Sequence, residues 1–458
     1  MRGCCVQRRI QIPSITLGLL FLGVGDRSGR AESIPIRNIR LLNTPSKCVM
    51  WSLALIPKRS SGEEDLMISP EYRSLIPATP RHPIIQLLIE ASSRRPSGWA
   101  LRDTVRELSY TELLQEVLVE GGRLANLGVH RGAPVMIEAT QNTRYLTAYF
   151  AALHLGANVL PYDASTGPEE LEREMARYGV LFYLVPGDSI KVSKLSGLSP
   201  HCIPYLAELD DGSCVLLPTG AAEGQPKRAI HTTEGLIGNA SAYANSVGLN
   251  ADDVTMIMIS PTLGICHTGQ ILAHMLVAGR IAFSSNMISP DDLVREMQDV
   301  RTTNVTLLPD LLGDAMLNAL ARVPTLRQIS IDGTASTKEF LPHLASRMKE
   351  VDIVQTWGAS GCGPILTVWL AGRDPLSPGC VGTPVRGVDM EIRSPKAKNR
   401  EFEEDGSVGE LCARTSYAMH GYLSGDEADG DVSTEPELIR TGYLGYADND
   451  GRVYVKPQ

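Results

Sequence analysis

Pro218-Thr-Gly-Ala-Ala-Glu-Gly-Gln-Pro-Lys227, running on into Arg228-Ala-Ile-His-Thr232, decides how this chain is read. An apolar strand, Cys214-Val-Leu-Leu217, feeds into it. Small residues after a buried strand let successive backbone amides turn toward one anion. Lys227 then adds a cation. This is the frame of a nucleotide phosphate loop with few working side chains: Thr219 is its one hydroxyl, and Glu223 brings a negative charge. Like unit charges at ~4 Å repel by about 1 kcal/mol in water and about 4 kcal/mol at an effective dielectric of 20. Lys227 and Arg228 are expected to offset part of this by pairing with Glu223.

Outward from the loop, helix and strand alternate. Ser109 is an N-cap before the amphipathic run Tyr110-Thr-Glu-Leu-Leu-Gln-Glu-Val-Leu-Val-Glu, and Gly128 is its stop. Val135-Met-Ile-Glu, Asn158-Val-Leu-Pro161 and Leu181-Phe-Tyr-Leu-Val185 are short strands around an apolar helix from Tyr145 and a third helix opened by Thr166-Gly-Pro168. Past the loop come strands at 255–259, 304–308, 328–331 and 351–354, with a helix over 270–277. Such alternation predicts α/β units with largely parallel sheets, whose ligands sit at strand C-terminal ends. From Gly379 short alternating strands take over, with turns at Asp405-Gly406 and Asp450-Gly451. The fold class expected is α/β: two α/β subdomains plus a small β subdomain. The boundaries expected are a basic leader over 1–66, α/β units over 67–210 and 211–378, and the β subdomain over 379–458.

Composition narrows the class. The chain has 458 residues and net charge −9, which does not favour nucleic acid. Residues 1–60 carry ten basic against two acidic residues, so the rest of the chain is strongly acidic. The leader holds one apolar run, Ile15 to Val24, too short for a stable membrane span. It reads as an organelle-targeting or secretory segment, or as an upstream start before Met50 or Met67. Nine cysteines without a CxxC pair suggest neither zinc nor a disulfide framework, and a reducing, cytoplasmic setting is expected.

Several segments, in order, resemble the adenylate-forming (AMP-binding) enzymes, a superfamily that includes acyl-CoA synthetases and coumarate-CoA ligases. The loop is similar to their Thr-Ser-Gly-Thr-Thr-Gly-x-Pro-Lys-Gly. Leu108-Ser-Tyr-Thr-Glu-Leu113, Leu127-Gly-Val-His-Arg-Gly-Ala-Pro-Val135 and Pro161 to Leu171 resemble earlier family segments. Trp357-Gly-Ala-Ser-Gly361 stands at the aromatic-Gly-x-Thr-Glu motif, Gly379 to Gly387 at a Gly-Pro loop, and Thr441-Gly-Tyr-Leu-Gly-Tyr-Ala-Asp448 at Thr-Gly-Asp-x-Gly-x-x-Asp. Order and spacing over roughly residues 80–455 carry the resemblance.

The resemblance implies an ATP-dependent ligase. A carboxylic acid is adenylated with release of pyrophosphate, and coenzyme A or a carrier protein's pantetheine then displaces AMP. It implies nucleotide contacts at Thr219, Gly220, Gly224, Lys227, Gly333, Thr334, Trp357, Gly358 and Tyr443. Trp357 stands at the aromatic that stacks on adenine; burial in the core is its other reading. Many polar groups are replaced. Gly220, Ala222 and Glu223 stand at a Ser and two Thr of the loop. Gly361 stands at a glutamate that helps hold magnesium, so magnesium binding is expected to be weakened and no metal ligand is assigned. Tyr443 stands at an aspartate that accepts the ribose hydroxyls. His267 is displaced from the family's Pro-x-x-His and is expected in the core. The family's mobile C-terminal domain, which brings a catalytic lysine, is expected to be absent after Lys456-Pro-Gln458 or supplied as a separate partner, and no catalytic residue is assigned. The alternatives are a non-catalytic binding or scaffold protein on this fold, and a truncated or split ligase.

Overall fold

Short apolar runs between polar turns become the strands of two sheets. The first contains β3 (Pro134–Glu138), β4 (Asn158–Tyr162), β5 (Phe182–Pro186), β6 (Ile190–Lys194), β7 (Cys214–Pro218), β8 (Arg228–Thr232) and β18 (Tyr422–Leu423), in the order β18-β8-β7-β4-β3-β5-β6. Strands β5, β3, β4 and β7 are parallel, and β6, β8 and β18 add antiparallel edges. The second sheet begins with β1 (Leu101–Arg102), β2 (Glu107–Leu108), β9 (Val254–Ile257), β10 (Arg280–Phe283), β11 (Asn304–Leu307), β12 (Gln328–Asp332) and β13 (Asp352–Ala359). It continues through β14 (Gly363–Leu370), β15 (Cys380–Pro384), β16 (Val388–Arg393), β17 (Gly409–Thr415), β19 (Leu438–Ala447) and β20 (Val453–Val455). The block β1-β10-β9-β11-β12-β13 is parallel, and pairing is antiparallel from β14 onward.

This is a computed structural model, and it describes residues 82–187, 189–194, 214–219, 227–285, 289–309, 313–333, 340–359, 361–394, 408–423 and 438–456. The expected leader, 1–66, and the turn at Asp405-Gly406 lie outside the described residues. The mixed α/β class with parallel sheets is the observed one. Strands β7 and β8, which follow the boundary expected at 211, lie in the same sheet as β3 to β5, because β7 pairs in parallel with β4. Among the described residues no helix is long and apolar enough to cross a membrane.

Local chemistry explains the helices that support the sheets. They are α1 (Pro83–Arg94), α2 (Tyr110–Asn126), α3 (Thr143–His154), α4 (Pro168–Arg177), α5 (Thr233–Val247), α6 (Ala273–Leu276), α7 (Pro290–Val300), α8 (Asp314–Leu320) and α9 (Phe340–Arg347). Ser109 caps α2 and Glu112 returns the bond, a reciprocal box that satisfies two otherwise orphaned donors. Helix α3 is buried from Tyr145 through Leu153. A helix apolar all round belongs inside a protein. One continuous apolar cluster joins Leu146 and Phe150 of α3 to Val135 of β3 and, across the helices, to Ile257 of β9 and Val354 of β13. The helix expected over 270–277 begins instead as a π-helix, Cys266–Leu272, before α6. Its wider turn accompanies two anchored histidines: His267 meets Tyr149 Oη at 2.7 Å, and His274 meets Asn304 Oδ1 at 2.9 Å. Burial pushes His267 down to about 3 and His274 to about 4, so both are neutral core groups at pH 7.

The buried Arg228–Glu174 pair ties the phosphate-loop hairpin to α4. The Arg228 side chain is 2% exposed. Its guanidinium donates to Glu174 Oε2, to Pro161 O at 2.9 Å and to Leu216 O at 3.0 Å. Breaking such a pair from one side strands a buried charge. Glu174→Ala is therefore expected to lower stability by about 3–5 kcal/mol. Replacing both partners with methionine is expected to restore most of that loss; denaturant midpoints of the three proteins check it.

Candidate functional site

The site begins where β7 leaves the C-terminal edge of the parallel strands. Thr219 N donates to Lys227 O at 2.9 Å, and Thr219 Oγ1 donates to the same oxygen at 3.2 Å. The two residues thus close the base of the loop, and the Thr219 hydroxyl hydrogen is engaged by the hairpin. Gly220 and Gly224 lie outside the described residues, as do Ala221, Ala222 and Glu223. Lys227 Nζ stands 5.5 Å from the centroid of the Tyr422 ring, a cation–π contact. Arg228 departs from expectation. Its charge is committed to Glu174 beneath the sheet, because its position on β8 points the side chain into the α4 interface.

A second strand end supplies the other side. Gln355 Nε2 of β13 donates to Gly333 O at 2.6 Å, and Gly333 N donates to Thr356 O at 3.2 Å. Gly333 has φ +111°, a conformation that side chains disfavour, and it turns the chain sharply at the end of β12. Thr334 lies outside the described residues. Asp332, the last residue of β12, accepts from Thr356 Oγ1 at 2.9 Å. Burial pushes its carboxyl up to about 6, against the hydrogen bonds from Thr356 and the Gly333 amide.

The structure brings Trp357 and Tyr443 together. Their rings meet edge to face, 5.8 Å between centroids and 82° between planes. Trp357 is 1% exposed and belongs to the main apolar core, so its ring offers no open face for stacking in this structure. Gly358 has a steric reason to be glycine, since a Cβ there would lie 2.1 Å from Pro364 O.

Position 361 is closed by neighbours. A Cβ built on Gly361 would lie 2.7 Å from Met419 Cε and 3.1 Å from Tyr422 Oη. Met419 N donates to Gly361 O at 3.0 Å. The 417–423 segment therefore lies across the turn after β13, and β18 continues it as an edge strand beside β8. Through Tyr422, Lys227 of one sheet reaches Gly361 of the other. Asp163, just past β4, makes a further link. Burial would raise its carboxyl, but hydrogen bonds from Ser165 and from Ser260, past β9, outweigh that and hold it low.

Sequence reading passed over four of these groups. Met419 and Tyr422 lie in a segment, Met419 to Leu423, that resembles a family β segment, but only the fold sets them beside Gly361 and Lys227. Asp332 and Gln355 do carry one: each is a polar residue near the end of an apolar strand. Among the described residues, no three His, Cys, Asp or Glu side chains gather as a metal site.

The pattern of the AMP-binding enzyme family matches residues 88–423. The chain belongs to that family. It is 22% identical to 4-coumarate-CoA ligase 1 of Narcissus pseudonarcissus over 389 residues, spanning 77% of this chain and 70% of the relative. It is 24% identical to 4-coumarate--CoA ligase 5 of Oryza sativa subsp. japonica over 432 residues, 84% and 78% of the two chains. Among solved structures, the inhibitor-bound N-terminal domain of FACL13 from Mycobacterium tuberculosis is similar at TM-score 0.67 and 18% identity, covering 82% of this chain and 99% of that one. VinN is similar at TM-score 0.66 and 18% identity, covering 82% and 98%.

Magnesium, which the family's chemistry implies, is not fitted by the described residues, because Met419 and Tyr422 fill the space beside Gly361 and bring no carboxylate.

The raised Asp332 carboxyl fixes a pH dependence. An unfolded aspartate titrates near ~3.9, and the folded group near about 6. Its protonated form is favoured in the fold, so stability is lost as pH rises through that window. Asp332→Asn removes the charge. It is expected to raise stability by about 2 kcal/mol above pH 7 and by almost nothing below pH ~4. Thermal melts of both proteins across pH 4–8 check the sign.

Proposed function

We propose that this chain is an acyl-CoA-ligase-like protein that binds a carboxylic acid and an adenine nucleotide at the ends of β7, β12 and β13, and whose metal-assisted adenylation step is degraded. One observation carries the reading: Lys227 at the loop base and Gly361 after β13 are brought together through Tyr422, yet Gly361 has Met419 and Tyr422 beside it where adenylation would need a magnesium carboxylate. Relatives bearing this family's pattern are coumarate-CoA ligases, and the similar VinN has a complex with L-aspartate, so a carboxylic acid is the ligand class that fits. The similar MenE from Bacillus subtilis has a complex with AMP. That supports an adenine nucleotide as the second ligand.

Adenylation itself is positioning plus charge stabilisation. Attack by a carboxylate oxygen on the α-phosphorus breaks the bond to pyrophosphate, and the negative charge on the leaving group has to be met by fixed cations and donors. Lys227 is such a cation at the loop base. Thr219 contributes less, because its hydroxyl already donates to Lys227 O. The thiol that would displace AMP in the family's second step is coenzyme A or a carrier's pantetheine. A carrier protein, or a C-terminal domain bearing the family's lysine, is the partner class that matches this chemistry.

The non-catalytic alternative is favoured by one feature of its own, the sealing of Trp357 beneath Tyr443. In that reading the site holds an acid or a partner segment and no nucleotide.

Two measurements separate these readings. Pyrophosphate exchange with a panel of aryl and alkyl acids is expected to run at least on the order of 10²-fold below that of a 4-coumarate-CoA ligase assayed alongside. Exchange at the relative's rate refutes the loss of adenylation. AMP is expected to raise the melting temperature, as a ligand bound only by the folded state must. No shift with wild type, but a clear one with Tyr443→Ala, selects the non-catalytic reading.

A further inference from the structure

We propose that Asp332 is a specificity-determining residue that recognises a positively charged amino group on the bound acid, so that the ligands of this chain are amino-bearing carboxylic acids. The inference rests on the acid-binding reading above and names the substrate class within it.

The position is the first argument. Asp332 ends a central parallel strand, between β11 and β13, at the edge where open α/β sheets take their ligands. Alternation along β12 places Gln328, Ser330 and Asp332 on one face. The first two are satisfied by the protein. Ser330 Oγ meets Tyr243 Oη of α5 at 2.9 Å, and Gln328 Nε2 donates to Ser330 Oγ at 3.0 Å. The polar ladder therefore closes on itself below and leaves a carboxylate at its ligand end.

The second argument is charge. Asp332 takes one side-chain hydrogen bond, from Thr356, and makes no ion pair among the described residues. Burial disfavours its ionised form, so the fold holds this group at a cost that a purely structural aspartate would not need. A neighbouring cation would remove that cost. Among the described residues none stands there, and a ligand ammonium would supply it.

The register decides which groups share this site. Asp332 pairs with Thr356 and Ile331 with Gln355, so Gln355 projects from the opposite face of the sheet and adds nothing to the charge around Asp332. On the Asp332 face the nearest described polar neighbours along the two strands are Thr356 and Ser330, neither of them charged. An ammonium group, with three donors and a full charge, is the complementary chemistry.

The test compares matched acids on the full chain by calorimetry: 4-(aminomethyl)benzoate against 4-methylbenzoate, and β-alanine against propionate. Wild type is expected to bind the ammonium member of at least one pair about 10- to 100-fold tighter, as a charge-assisted hydrogen bond would give. Asp332→Asn, which is expected to fold with greater stability, should erase that preference, the loss falling on the ammonium-bearing member of each pair. Asp332→Glu, which keeps the charge, should retain part of the preference. Equal binding within both pairs, or a preference that survives Asp332→Asn, overturns the role of Asp332 and leaves the acid-binding reading intact. If all four acids fail to bind the wild type and a wider acid panel also gives no signal, both readings fall together.

Discussion

The helical layer between the two sheets is the constraint on which the rest depends. Helix α3 has almost no polar face, and its burial from Tyr145 through Leu153 needs apolar partners on all sides. Packing one set of helices against β3 on one side and against β9 and β13 on the other merges the two α/β patterns into one core. Once that core exists, the end of β4 meets the segment after β9 through Asp163 and Ser260. The loop base at Lys227 meets the turn after β13 through Tyr422. This meeting of strand ends is thus a product of the shared core and of no single segment.

Where those strand ends meet, the chain has exchanged charge for packing. Where adenylation would draw on carboxylates and hydroxyls, Tyr443 covers Trp357, Met419 fills the space beside Gly361, and Thr219 is bonded within its own hairpin. Such contacts stabilise the fold, since aromatic pairs contribute about 0.5–1.5 kcal/mol beyond their buried area. They also remove oxygens that would hold a metal or a sugar. Asp332 runs the other way: it keeps a charge that the fold disfavours, at the edge where ligands enter.

The elements were legible where the pattern was strong and local. The α2 cap came from Ser109 and Glu112, and the α3 run from its unbroken apolar stretch. Strands β3, β4, β5, β7 and β12 were read from short apolar runs with turn residues on either side. The π-helix was not legible, because its register is set by His267 reaching Tyr149 and His274 reaching Asn304, contacts made only after folding. Arg228 was misread for a similar reason. Its neighbours in sequence are Lys227 and the loop, whereas its partner, Glu174, is brought to it by the pairing of β7 with β4.

By itself, the sequence determined the α/β class, the family, and the lack of a threonine hydroxyl at Ala222 and of carboxylates at Gly361 and Tyr443. Those are matters of residue identity and local periodicity, and both are written along the chain. Tertiary structure alone decided what stands in place of the lost groups: Tyr443 against Trp357, Met419 and Tyr422 beside Gly361, and at the end of β12 an Asp332 with no ion pair among the described residues. The physical reason is distance along the chain. Positions 219, 332, 357, 422 and 443 belong to different elements, and only the burial of the common helical layer brings those elements together.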